Sequence, residues 1–416
     1  MSDAAVLAEL RDAAGAGAVC EHEPEAIDGA RIGITLSPAG PDDLAATLAV
    51  CTRRELPLLV RGGGSRLGLG NRPHAPRAWL STAAFDPDCE VDGDEGVARV
   101  GAATRAGALD AAARAAGWRS PIEAANPSAT LGGALATAAA GPRTLGLGPA
   151  RRAALGLDVV LATGERTRCG SRVVKNVTGY DLVKLYVGSL GTLGVLTGGW
   201  LRLRPAPEAE CTLVARVDAG GCALALAAAR RPGTRAAALL DASLAPAIAP
   251  DAAGDLVLVD LAGDLPVVEA SAAWLRSAAD AAECEGAVER LNALEGEPER
   301  GALRLRVSTP APRLARARGV LHAAGARVVV HPGLSQAVAF FDLPHEDTGL
   351  VDAAVRAVRG AAGPGGGSVL ECAPAWAKEG RDVFDAPAAT LPLMRALKAQ
   401  FDPAGVLNRG RFAGGL

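Results

Sequence analysis

Short apolar runs broken by glycine and proline set the texture of the first half of the chain. Residues 56–60, 97–102, 155–163 and 194–203 are rich in Leu and Val and bounded by turn residues, which predicts buried strands. Residues 155–163 and 165–169 read as a hairpin about Gly164-Glu165. Helices are predicted over residues 4–18, over 41–50 and over 104–116. Pro41 suits a first turn, Asp42 and Asp43 complement the N-terminal dipole, and Gly117 ends the third helix. The run Arg204-Pro205-Ala206-Pro207 reads as a boundary.

Beyond it the texture changes. Strand candidates at 212–217, 256–261, 303–307, 326–330 and 337–342 alternate with alanine-rich helical stretches at 221–230, 268–283 and 313–324. That alternation predicts an antiparallel sheet with helices on one face. Residues 360–367 form a glycine-rich turn. Residues 390–401 predict a last helix with Thr390 as N-cap and Pro392 in its first turn.

A chain of 416 residues suggests two or three domains, and 49% hydrophobic residues supply a sizeable core. The net charge of −3 and pI near 6.0 argue against a nucleic-acid surface. The eight cysteines include no Cys-x-x-Cys pair, so neither an iron–sulfur cluster nor structural zinc is expected. Scattered single cysteines read as a reduced, cytoplasmic protein. Residues 1–25 lack a signal-peptide pattern and no apolar run reaches about 18 residues, so no direct membrane insertion is expected. Lysine stands at only four positions, 175, 184, 378 and 398.

Three glycine-rich segments carry candidate chemistry. The first is Arg61-Gly62-Gly63-Gly64-Ser65 with Gly68 and Gly70, directly after the strand at 56–60. Successive backbone N–H groups can cradle a diphosphate, and Arg61 can add a charge-assisted contact. It is neither a Rossmann nor a Walker loop. The second is Pro127-Ser128-Ala129-Thr130-Leu131-Gly132-Gly133, followed by Thr137 among small residues that leave room for a ribityl chain. Hydroxyls at Ser128 and Thr130 suit a flavin edge, and equally a helix N-cap. The third is Gly188-x-x-Gly191-x-x-Gly194-Val195, preceded by the run from Lys175 to Leu185. Taken singly, each segment is also compatible with an ordinary glycine-rich loop. Together they point to a large flat cofactor held by backbone.

Their order resembles the vanillyl-alcohol-oxidase-type (PCMH-type) FAD-binding superfamily. Within it the chain resembles the FAD-binding accessory subunits of bacterial glycolate oxidases. The run Lys175-Asn176-Val177-x-Gly179-Tyr180-Asp181-Leu182-x-Lys184-Leu185 is the most specific match. The ending Phe401-Asp402-Pro403-x-Gly405-x-Leu407-Asn408-x-Gly410-Arg411 is similar to the family's closing motif.

The resemblance implies an α+β protein. A two-part FAD-binding domain would span 1–205, with α/β lobes of about 1–85 and 86–205. A smaller α+β cap would span 206–385, and a C-terminal helix and tail, 386–416, would return to the FAD domain. Residues 62–65 would hold the pyrophosphate. Ser128, Thr130, Gly132 and Gly133 would line the flavin, Gly194 and Val195 would meet it through backbone, and Asn408 and Arg411 would reach the isoalloxazine region. Covalent members often carry His where Ser65 stands, so FAD is expected to be non-covalent. Catalytic relatives use paired His and an acid around a divalent metal. Here His331 and His345 lie fourteen residues apart and Glu371 is followed by Cys372, so no metal site is expected and no catalytic residue is assigned. The resemblance thus implies a subunit working with a larger flavin-containing catalytic subunit and an iron–sulfur subunit in oxidising a small 2-hydroxy acid. It would be cytoplasmic, or peripheral to the plasma membrane's inner face through its partners. Two alternatives remain: a self-sufficient 2-hydroxy-acid dehydrogenase recruiting Arg304, Arg306 and His331, and a non-catalytic assembly module.

Overall fold

The computed structural model describes residues 3–173, 180–218, 220–296 and 302–416. Its mixed α+β architecture contains sheets of four, five, two and eight strands among these residues. In the four-stranded sheet the order is Val19–Ile27, Ala30–Leu36, Ala78–Ser81, Leu58–Arg61. The first two strands form a hairpin, and the last three run parallel. Helix Pro41–Arg53 makes the crossover and buries Leu44, Leu48 and Cys51 against this sheet. The sequence pattern missed the hairpin because Val19–Ile27 is largely exposed and carries Glu and His where apolar alternation would signal a strand.

The five-stranded sheet is antiparallel throughout, ordered Cys89–Asp92, Val97–Gly101, Val195–Arg202, Ala154–Val160, Arg166–Gly170. Its central strands are the apolar runs legible in the sequence. Helices Ala106–Ala115 and Leu131–Ala136 bury Leu109, Ala113, Leu131 and Leu135 in its core.

The eight-stranded sheet is antiparallel, ordered Ala281–Glu283, Ala209–Val217, Asp255–Gly263, Thr234–Leu240, Arg327–His331, Gln336–Phe341, Leu303–Ser308, Gly367–Cys372. Side chains alternate between faces along a strand. One set, including Leu239, Val257, Leu305 and Val330, packs with residues of helices Gly221–Ala229, Leu265–Ala278, Leu314–Ala323 and Thr348–Ala362. The other set, including Leu240, Leu258, Val329 and Val338, packs under helix Ala287–Gly296. Helices therefore cover both faces, not one as the pattern predicted. Alternation puts Asp260, Arg304, Arg306, His331 and Glu371 on this second face, where all are buried or nearly so.

The C-terminal helix Leu391–Phe401 docks through an edge-to-face contact of Phe401 with buried Tyr186, centroids 5.7 Å apart. Thr390 does not cap it. Its backbone is already helical, and its hydroxyl donates to the Pro387 carbonyl at 2.7 Å, because a 3₁₀ turn at Ala388–Thr390 runs straight into the helix. Lys398 is buried and donates to Thr192 O, Leu407 O and Asp402 Oδ2, while Asp402 accepts from Val406 and Leu407 N–H. Leu407 then bridges Leu58 in parallel, extending the four-stranded sheet.

A buried charge cluster ties three distant segments together. Asp28, at the hairpin turn with φ 45°, takes Lys378 Nζ at 2.9 and 3.0 Å and also Arg411 Nη1. Arg411 further donates to the carbonyls of Leu67, Leu69 and Asn71. All three side chains are at least nine-tenths buried. Removing one member of such a set leaves an uncompensated buried charge, which costs about 3–5 kcal/mol. Asp28→Asn is therefore expected to lower the thermal unfolding temperature by several degrees in a circular dichroism melt. An unchanged melt would show that the cluster does not hold the molecule together.

Candidate functional site

A cleft opens between the four- and five-stranded sheets. It brings together residues from all three glycine-rich segments and the tail: Arg61, Gly62, Gly63, Gly64 and Ser65; Thr130, Gly132, Gly133 and Thr137; Gly191, Gly194 and Val195; and Asn408 and Arg411. Gly68, Gly70, Pro127, Ser128, Ala129 and Gly188 lie outside its lining. Gly70 backs onto Arg411, and Ser128 onto Gly63. Of the motif at 175–185, residues 175–179 lie outside the described residues. Tyr180 is 96% exposed and is not part of the cleft's lining.

The glycines serve the meeting of loops as much as any ligand. A Cβ on Gly63 would stand 1.6 Å from Ser128 O, and one on Gly62 2.3 Å from Thr130 Oγ1. A Cβ on Gly191 would stand 2.9 Å from Asn408 Nδ2, and one on Gly194 2.5 Å from Val159 Cγ1. Thr130 Oγ1 accepts from Gly133 N–H as a helix N-cap and from Gly63 N–H at 3.3 Å, so one hydroxyl joins two of the segments. Asn408, with φ 44°, accepts from Val60 N–H and donates to Leu190 O. Its amide is spent on positioning strand and loop, and Arg411 is likewise spent on Asp28 and three carbonyls. Arg61 pairs with Glu25 at 2.6 Å and lies over Trp79 at 4.7 Å, which commits its charge to the sheet.

What remains free faces the cleft. Among the described residues, the N–H groups of Gly62, Gly64 and Ser65 donate to no protein acceptor. Converging unpaired N–H groups after a strand form an anion-holding nest. The small residues Gly132, Gly133 and Ala136 and the apolar Leu190, Val195 and Leu196 line the remainder. Nest, small-residue wall and apolar floor fit a diphosphate carrying a flat ring system.

On the side of the eight-stranded sheet, Arg304, Arg306, His331 and Glu371, each named from the sequence, meet Glu295, which was not. Arg306 grips Glu371 with two hydrogen bonds, 2.7 and 3.2 Å. Arg304 Nε stands 3.2 Å from Glu371 without hydrogen-bond alignment, and its Nη1 is also unpartnered. Burial pushes the Glu371 carboxyl up, but Arg306, with Arg304 and Arg66, outweighs it and holds the group down at about 2. His331 Nε2 bonds buried Glu295, and His331 Nδ1 has no partner. His345 lies apart and is exposed, so the two histidines do not converge. Among the described residues no group of three or more His, Cys, Asp or Glu forms a metal site. Glu123 Oε2 accepts from Arg143 N–H at 2.8 Å, while its Oε1 is buried and unpartnered. Burial raises Glu123 to about 7, and Arg143 opposes this without cancelling it. Glu295 and Glu123 carry no sequence signal, because they stand singly and come into place only through the packing of distant segments.

Residues 33–170 match the model of a family described as the FAD binding domain. The cofactor of this fold is FAD. A D-lactate dehydrogenase of Archaeoglobus fulgidus is 37% identical over 172 residues, 41% of this chain and 39% of that protein. Glycolate oxidase subunit GlcE of Escherichia coli is 37% identical over 164 residues, 38% of this chain and 45% of that one. The chain thus spans about two fifths of the length of the curated relatives it matches. In fold it is similar to p-cresol methylhydroxylase with substrate bound, with a TM-score of 0.70 at 14% identity, covering 98% of this chain and 96% of that one. The resemblance of the three loops to PCMH-type flavoproteins is borne out in fold.

Two outcomes follow. Gly63→Ala is expected to abolish flavin retention, measured as the flavin-to-protein absorbance ratio, because its Cβ has no room against Ser128. Glu123 is raised from 4.5 to about 7, so its neutral form favours the folded state below pH 4.5 and that contribution is lost as pH rises through about 7. Its size is about 3 kcal/mol. Glu123→Gln is expected to flatten the fall in melting temperature between pH 4.5 and 8.

Proposed function

We propose that the chain holds FAD non-covalently and serves the oxidation of a small 2-hydroxy acid, glycolate or D-lactate, to its 2-oxo acid. In this reading residues 1–205 are the FAD-binding domain, 206–385 the cap and 386–416 the returning tail. The unpaired N–H nest at Gly62, Gly64 and Ser65 carries the proposal, because such a nest answers a diphosphate and none of the described residues satisfies it. Ser65, lacking a nucleophilic ring nitrogen, leaves the flavin unlinked. FAD supplies acceptance of two electrons from the acid. The chain's own residues position it: Thr130 and Asn408 lock the loops around the cleft, and the apolar wall excludes water.

The mutually engaged charges of the eight-stranded sheet favour an FAD-binding subunit over a self-sufficient dehydrogenase. Glu371 stays anionic and clamped by two arginines, so it is not a free base. His331 is engaged by Glu295 through Nε2. In this reading the chain works with a larger flavin-containing subunit and an iron–sulfur subunit, as the likeness to the glycolate oxidase subunit suggests. No described helix is long and apolar enough to cross a membrane, and any membrane association is proposed to come through the partners.

A visible spectrum of the purified chain tests this. We expect stoichiometric flavin released into the supernatant by acid precipitation. Under anaerobic glycolate or D-lactate the isolated chain is expected to stay yellow and to bleach with dithionite. Rapid bleaching by either acid would make the chain a complete dehydrogenase, and flavin remaining with the precipitate would refute non-covalent binding.

A further inference from the structure

The cleft has a small side chamber. Ser65, Arg66 and Thr137 line both spaces, and Glu123 and Asn126 line the chamber alone. Most of the remaining wall is alanine.

Arg66 forms no ion pair or hydrogen bond with any described residue, although it is partly buried at the junction of the two spaces. A guanidinium is never neutral in a protein, and withdrawing it from water without an acceptor is costly. Its electrostatic neighbours are Glu371 and Glu295 on one side of the balance and Arg304 and Arg306 on the other. Those two carboxylates are already held by Arg306 and His331. Three guanidiniums against two carboxylates leave a positive excess at the junction. Among the described residues none pairs with Arg66, and an anionic ligand would answer its charge.

The nest N–H groups of Gly62, Gly64 and Ser65 already answer a diphosphate, whereas the charges Arg66 senses belong to the eight-stranded sheet and helix Ala287–Gly296. A planar guanidinium fork matches a carboxylate in two-point contact. The alanine wall suits a chain of a few carbons. The buried, unpartnered Oε1 of Glu123 supplies a second polar contact when that group carries its proton.

We infer that Arg66 anchors the carboxylate of a short monocarboxylic acid in this side chamber, with Glu123 lining the same site. The inference rests on the reading above that the cleft serves a 2-hydroxy acid, and it names the residue that recognises that acid or its 2-oxo product. Arg304, Arg306 and Glu371 are then scaffolding behind the site.

The test is calorimetric titration of the full chain, carrying whatever flavin it retains, with glycolate, D-lactate and glyoxylate, and with sulfate as control. Wild type is expected to bind the carboxylates and not sulfate. Arg66→Gln is expected to bind at least tenfold more weakly at unchanged flavin content, with Arg66→Lys recovering part of the loss. Ala124→Leu narrows the chamber with Arg66 in place and is expected to weaken binding as well. A flavin-replete wild type that binds none of these acids, or Arg66→Gln that binds as tightly as wild type, overturns the inference and leaves the flavin reading standing. Flavin loss in Arg66→Gln also overturns it, by assigning Arg66 to the cofactor. A flavin-free wild type that still binds glycolate through Arg66 upholds the chamber and refutes the flavin reading.

Discussion

The buried carboxylate of Asp28 is the constraint on which the cleft depends. It sits at a hairpin turn near the start of the chain and receives Lys378 and Arg411 from near its end. Taking three charges out of water is unfavourable unless geometry and extra hydrogen bonds compensate. Here the compensation comes from carbonyls of the loop at 67–71, so the same bonds that satisfy the cations also fix that loop. The nest at 62–65 leads directly into this loop. Hairpin, phosphate-type loop, eight-stranded-sheet region and tail are thereby held in one arrangement.

A second buried cation repeats the device. Lys398 joins the C-terminal helix to Thr192 in the third glycine-rich segment and to Leu407 in the tail. Burial lowers its pKa and Asp402 opposes that fall. Two of the chain's four lysines thus work as internal fasteners, while Lys184 stays near the surface with Asp181 and the Arg151 carbonyl. A chain that uses arginine for nearly all its surface cations keeps lysine where a compact three-donor head meets several carbonyls at once.

The cleft's chemistry is divided between backbone and side chains. Backbone N–H groups face the space where a diphosphate would lie, and the side chains around them are committed to holding loops. The polar residues of the eight-stranded sheet pair largely among themselves, and among the described residues Arg66 has no hydrogen-bond or ion-pair partner. In the proposed reading the division separates holding a cofactor from recognising a small acid. It also explains why residues that look like ligands in the motif, Asn408 and Arg411 above all, act as braces.

The sequence by itself determined the glycine-rich segments, the central strands of the five-stranded sheet, the alternation of strands and helices after residue 208 and the returning tail. These signals are local: apolar runs, turn residues and glycines whose spacing survives in one dimension. The hairpin at 19–36 was not legible, because its exposed strand carries no apolar alternation. Nor were Asp28, Arg66, Glu123 and Glu295, each a lone charged residue among 89. Their roles were decided by the tertiary structure. Burial turns a surface charge into a fastener or a site, and only the packing of segments hundreds of residues apart determines which charges lose water and which find a partner.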